Sequence, residues 1–262
     1  MELKFLDYQY FSNNINFTIK DDAITGIIGS DKEKLVDIIK LRKNYKGKII
    51  FNNEEIGKEN ITFYKKKITV IKEELEYSYY TNTIYELMKN EIKRKRISLK
   101  NPEKKMLDSL KIVSLNIDLN RSIYSLSTSE KKHLQIAISL LSNPDILIIE
   151  EPFKDFDIKN EKKIILLLQK IKEQYKKTII FVSDDSTMLY KYTNNIIIFR
   201  NKKIIVEGPT TEVFKRVDFL KRNKIEIPKI VEFTYLAKKN KFIKLDYHKD
   251  IRDIIKDIYK HV

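Results

Sequence analysis

Glu150 and Glu151 stand together at the end of an apolar run, Ile146-Leu147-Ile148-Ile149, and Pro152 follows them. An uninterrupted run rich in β-branched residues predicts a parallel strand covered on both faces. Pro152 has no amide hydrogen for a ladder, so the strand must end there. Ligands of α/β proteins gather beyond the carboxyl ends of such strands. Two carboxylates at that point suit a divalent cation and a reacting water. They equally suit a pair of solvated acids closing a core strand. A second candidate is Gly29-Ser30-Asp31-Lys32-Glu33-Lys34, between the apolar run Ala23 to Ile28 and the helically spaced Leu35 to Leu41. Strand, tight loop and helix is the setting in which backbone N–H groups close around phosphate oxygens.

These groups need a scaffold, and the rest of the chain predicts an α/β one. Leu3 to Tyr10 alternates weakly and reads as an edge strand, followed by a strand at Ile15 to Ile19. Further buried strands are predicted at Ile68 to Ile71, Thr178 to Val182 and Asn195 to Phe199, with a final edge strand at Lys202 to Val206. Residues from about 73 to 140 read as mostly helical, with charged helices near Ile84 to Arg94 and Glu103 to Val113. Length sets the scale: 262 residues make one large α/β domain or a core with an appendage. Hydrophobic residues, at 42%, are enough for a core, yet no apolar run reaches the roughly 18 residues of a membrane span. The N-terminus carries no basic-then-apolar signal pattern. With no cysteine, disulfides and thiolate metal sites are excluded. The net charge of +15 would suit an anionic partner, but the lysines are spread along the chain and fit compositional bias as well; nucleic acid is not expected.

The segment Leu126 to Pro152, LSTSEKKHLQIAISLLSNPDILIIEEP, resembles the signature helix and Walker B strand of ATP-binding cassette (ABC) ATPases. The family pattern there is L-S-G-G-Q, a basic helix, N-P, an apolar strand and D-E-P. Order and spacing match over the whole block. Ser127 keeps its position, while Thr128, Ser129 and Glu130 stand for the two glycines and the glutamine. Glu150 stands for the Walker B aspartate that holds magnesium, and Glu151 keeps the position of the catalytic glutamate. Asp157 keeps the last position of the loop that follows. The resemblance implies a P-loop NTPase cassette fold: a mixed sheet with helices over residues 1–209, an inserted helical subdomain at about 73–140, and a C-terminal helical extension over 210–262.

Carried through the rest of the chain, the resemblance also marks departures. The phosphate loop G-x-x-x-x-G-K-[ST] is read here as Gly29, Ser30, Asp31, Lys32, Glu33 and Lys34. Laid on without a gap, Leu35 and Val36 fall at the lysine and hydroxyl positions. Laid on by the following helix, the loop is three residues short, Lys32 takes the lysine position and Glu33 the magnesium-binding hydroxyl position; this reading keeps the helix in register. Either way the inner glycines are missing. Glu73 falls at the position of the family's magnesium-sensing glutamine. Asp184 replaces the switch histidine, and an ionised carboxylate cannot donate a hydrogen bond to a γ-phosphate. Tyr10 matches the aromatic that stacks on adenine, or is an ordinary strand tyrosine.

The C-terminal block around Glu212-Val213-Phe214 and Pro228 is similar to energy-coupling factor transporter ATPases. That resemblance implies ATP and Mg2+ as cofactors, bound weakly at the chain's own site, with intrinsic hydrolysis weak or absent. It implies a second cassette subunit, a transmembrane coupling protein and a substrate-binding membrane subunit as partners. It also implies a place at the cytoplasmic face of the membrane and uptake of a vitamin or a metal ion. The alternatives are a catalytically silent subunit beside an intact ATPase and, behind it, a nucleic-acid-binding cassette protein.

Overall fold

The computed structural model of the chain describes residues 2–10, 13–21, 23–40, 46–76, 81–240 and 245–260, apart from the side chains of Tyr10, Asn13 and Lys260. The elements run β1 (Glu2–Tyr10), β2 (Asn13–Lys20), β3 (Thr25–Ile28), α1 (Lys32–Ile39), β4 (Lys46–Phe51) and β5 (Glu54–Glu55). They continue with α2 (Ile61–Lys66), β6 (Ile68–Ile71), α3 (Ile84–Arg94), α4 (Pro102–Ile112), α5 (Thr128–Leu140), β7 (Ile146–Glu150) and α6 (Ile158–Tyr175). The last are β8 (Thr178–Val182), α7 (Ser186–Tyr192), β9 (Asn195–Arg200), β10 (Lys203–Pro209), α8 (Thr210–Phe214), α9 (Val217–Arg222), α10 (Lys229–Lys239) and α11 (Ile251–Lys260). The chain divides into two compact units, residues 1–55 with 180–262, and residues 56–179.

In the first unit, β2-β1-β4-β5 form an antiparallel sheet. β1 therefore lies between two strands and is not the edge strand that its weak alternation predicts. The register shifts between Phe5 and Tyr8, and Asp7 takes φ 48°. This bulge lets Leu3, Phe5 and Tyr8 all face the core, which breaks the period of two in the sequence. Phe5 stacks on Phe17 at 4.3 Å, and Tyr8 meets Phe5 edge-on at 5.7 Å. The same unit holds β10-β9-β3-β8, in which β9, β3 and β8 run parallel and β10 antiparallel. β3 is buried throughout, as an apolar parallel strand should be. Helix α1 packs Leu35, Val36, Ile38 and Ile39 inward. Pro228 stands at the start of α10, where its missing N–H costs nothing.

In the second unit, β6 and β7 pair in parallel from Ile68 opposite Ile146 to Ile71 opposite Ile149. Its helices begin where local chemistry says they should. Thr83 and Glu86 form a capping box on α3, Asn101 caps α4 ahead of Pro102, and Ser127 and Glu130 box α5. Together α3, α4 and α5 supply the helices expected between about 73 and 140. Glycine is scarce, with five in the chain, so other residues take the left-handed turns. Among the described residues, twelve non-glycines have positive φ, including Asn52, Asn53, Asn143, Glu151, Lys176 and Lys202.

Candidate functional site

In the first unit, Gly29, Ser30 and Asp31 carry the chain from β3 into α1. Gly29 has φ +125°, and a Cβ there would lie 2.2 Å from the carbonyl oxygen of Phe199. Only glycine fits so close to a neighbouring strand. That closeness has a second effect on the backbone donors. The Asp31 amide donates to the Phe199 carbonyl at 3.4 Å, and the Lys32 amide donates to Gly29 at 3.1 Å. The amides of Lys34 and Leu35 donate to the Asp31 carbonyl at 2.9 and 3.3 Å. Four amides of the loop, those of Asp31, Lys32, Lys34 and Leu35, are thus engaged by the chain's own carbonyls.

The side chains repeat that pattern. The Lys32 ammonium is 2.5 Å from Asp184 Oδ2 and 3.5 Å from Glu33. Lys34 pairs with Asp31, whose other oxygen accepts the Lys202 amide at 3.2 Å. The hydrogen bond from Lys34 holds the Asp31 carboxyl below its usual range. Asp184 sits between β8 and α7, and the next residue, Asp185, caps α7 by accepting the Met188 amide. A cavity of about 370 Å³ opens beside this loop, lined by Gly29, Ser30, Asp184, Arg200, Lys224 and Glu226 among others. Tyr10 ends β1; the expectation that its ring stacks on adenine falls on a side chain outside the described residues.

In the second unit, β7 delivers Glu150, and Glu151 follows at φ 41°. Both carboxylate oxygens of Glu150 accept from the Lys72 ammonium at 3.0 Å. Glu73 pairs through its carboxylate with Lys154. Two polar side chains of α5 are buried against this segment. Lys132 donates to the Glu73 carbonyl at 3.1 Å, and Gln135 donates to the Lys72 carbonyl at 3.3 Å. Lys132 is only 5% exposed. Burial pushes its ammonium down to about 8, against the pull of Glu73, Glu150 and Glu151. Asp157 is occupied as a helix cap, accepting the Asn160 amide at 2.7 Å and the Asn160 side chain at 3.1 Å. Among the described residues no three of His, Cys, Asp and Glu group closely enough to hold a metal ion.

At the head of α5, Glu130 reaches back to the Ser127 amide and hydroxyl, both at 2.9 Å. Arg121 closes the far side of Glu130 at 2.8 Å. The Ser127 amide is the main reason the Glu130 carboxyl stays below its usual range. The partial positive charge of this helix N-terminus already faces a carboxylate. Thr128 and Ser129 form the first turn, and the Ser129 carbonyl meets the His133 ring at 2.8 Å.

The structure therefore gathers Gly29, Ser30, Asp31, Lys32, Glu33, Lys34 and Asp184 in one unit. It gathers Glu73 and Glu150 in the other, with Ser127 to Glu130 farther along α5. Sequence reading passed over Lys72, Lys132 and Lys154, which hold the acids of the second unit. Lys132 carried a signal: it occupies an inward position of α5, three residues before Gln135 and four before Ile136, where a lone cation needs an acid partner.

A family model described as ABC transporter matches residues 12–154. The chain is 29% identical over 234 residues to the energy-coupling factor transporter ATP-binding protein EcfA2 of Acetivibrio thermocellus, covering 87% of this chain and 82% of that one. Over 247 residues it is 27% identical to EcfA2 of Clostridium acetobutylicum, covering 91% and 85%. Among solved structures it resembles cbiO1 from Clostridium perfringens, part of the ABC transporter complex cbiONQ. The TM-score is 0.70 at 22% identity, covering 88% of this chain and 97% of the other. The dimeric cassette MJ0796 bound to ADP and Pi gives a TM-score of 0.62 at 21% identity, covering 79% and 98%. These structural likenesses speak for the cassette fold.

Proposed function

Because the chain belongs to the ABC transporter family, we propose that it serves as the ATP-binding-type subunit of an energy-coupling factor importer whose own nucleotide site is degenerate. Its similarity to two EcfA2 proteins, which runs over 82% and 85% of their lengths, supports the first half of this reading. The observation that carries the second half is the loop after β3. Its amides are bonded to Phe199, Gly29 and Asp31 carbonyls, and its lysines are paired with Asp184 and Asp31. Glu33 replaces the hydroxyl that would hold magnesium. This donor set does not fit a magnesium nucleotide: a triphosphate would have to displace bonds on every side and approach Asp31, Glu33 and Asp184.

The subunit then works through its surfaces. It pairs with an intact cassette, presents Ser127 and the head of α5 to the partner's nucleotide, and sits on a membrane coupling protein at the cytoplasmic face. None of its described helices is long and apolar enough to cross a membrane. Ser127 is tied to Glu130, so this half site is weakened, but the link is one side chain and can open without unfolding α5. The cargo, a vitamin or a metal ion, is selected by another subunit. Coexpression with an intact cassette and a membrane coupling protein tests the proposal. A stoichiometric complex, with nucleotide bound only at the partner's phosphate loop, is expected. A solitary chain that hydrolyses Mg-ATP by itself would overturn it.

A further inference from the structure

We propose that Lys72 is a built-in counter-cation for Glu150, so that the end of β7 takes an ammonium group where the cassette fold otherwise takes a magnesium ion. This deepens the reading of a degenerate site and concerns the second unit, whereas the loop that carried that reading belongs to the first. The Lys72 nitrogen lies 3.0 Å from each oxygen of Glu150, straddling the carboxylate as a chelated cation would. Its position is fixed from behind. Gln135 holds the Lys72 carbonyl and Lys132 holds the Glu73 carbonyl, both from buried positions on α5. The neighbouring acid, Glu73, is taken by Lys154.

The carboxylates Glu73, Glu150 and Glu151 thus stand with the ammonium groups of Lys72, Lys132 and Lys154, and Glu74 and Asp155 also act on Lys154. A divalent ion at Glu150 would meet the Lys72 ammonium already on both oxygens, with the buried Lys132 ammonium nearby, and both oppose it. Magnesium also demands near-octahedral oxygen donors at about 2.0–2.1 Å. The described residues offer no cluster of three acidic or imidazole ligands to supply them. Lys72 therefore neutralises Glu150 without a metal.

Manganese titration of the purified, nucleotide-free full chain tests this, with free Mn2+ followed by electron paramagnetic resonance. Wild type and Glu150→Gln should take up equally little Mn2+ at millimolar metal. Lys72→Met, which keeps the aliphatic stem, should gain at least about tenfold in Mn2+ affinity. The double variant Lys72→Met with Glu150→Gln should lose that gain. Mg2+ should raise the melting temperature of Lys72→Met and leave wild type unmoved. Uptake by wild type that Glu150→Gln abolishes would overturn the proposal, as would a folded Lys72→Met that gains nothing. Should Lys72→Met not fold, Lys72→Gln replaces it, and the comparison of wild type with Glu150→Gln stands by itself. Neither nucleotide nor partner enters the measurement, so its failure leaves the assembly reading standing, and failure of assembly leaves this one standing.

Discussion

The loop after β3 and the strand end after β7 both have their binding groups occupied, but by different parts of the chain. At the loop the backbone does most of it: the amides of Asp31, Lys32, Lys34 and Leu35 are bonded to carbonyls, one of them on another strand. At the strand end only side chains are involved, with Lys72 on Glu150 and Lys154 on Glu73. A bond between backbone groups cannot be removed by changing one side chain. An ammonium on a carboxylate can. In the first region the path of the chain itself engages the amides. In the second, lysine side chains engage the acids.

That contrast can be attacked from both ends. The largest effect is expected from the buried cation of the second region. The Lys132 ammonium is disfavoured in the folded chain, so between pH 8 and 10.5 the folded state holds fewer protons than the unfolded one. Stability should therefore rise with pH through that window and lose this contribution as pH falls toward 8. The slope from one such group is at most about 1.4 kcal/mol per pH unit. Urea denaturation of wild type and Lys132→Met at several pH values should show this slope in the difference between them. Parallel curves would mean that Lys132 is solvated after all.

The next effect belongs to the backbone of the first region. Gly29→Ala forces a Cβ against the Phe199 carbonyl at a φ that alanine avoids, and should cost at least about 2 kcal/mol in the same denaturation experiment. A cost near zero would mean that the loop can move off β9, and with it that its amides are available. Nucleotide affinity follows. The chain should bind Mg-ATP at least about tenfold more weakly than an intact cassette, or about 1.4 kcal/mol. Calorimetry of Lys32→Ala should give the same weak binding. Ordinary micromolar affinity would erase the difference between the two regions.

The smallest effect concerns the head of α5. Ser127→Ala removes a cap and should cost about 1 kcal/mol of stability. In a reconstituted complex with an intact cassette, Ser127→Arg should lower ATPase activity while Lys32→Ala changes it little. The reverse ranking would place the working site on this chain's own loop.

The sequence was most legible where short-range chemistry decides. The apolar runs of β3, β6, β7 and β8 mark element ends within a residue or two. β1 was misread as an edge because its bulge hides the alternation that sheet burial would otherwise print. The acids of the site were legible by position, since a strand end and a proline announce them. Their partners were not. Lys72, Lys132 and Lys154 come from a strand end, a helix and a turn, and among 52 basic residues no spacing separates a pairing lysine from a solvated one. The charge pattern alone could not say that Asp184 meets Lys32, because 152 positions lie between them.

The twelve left-handed turns held by residues other than glycine have a consequence for engineering. Each keeps a small strain, of order 1 kcal/mol, that a residue without a Cβ would release. Several are exposed residues, such as Asn53 and Lys176, in turns that the site does not use. Heat tolerance can thus be sought by editing turns one at a time, with glycine's larger unfolded-state freedom as the opposing factor. Such edits leave both regions of the site as they stand, which makes a hardened version of this chain a suitable background for the more damaging substitutions.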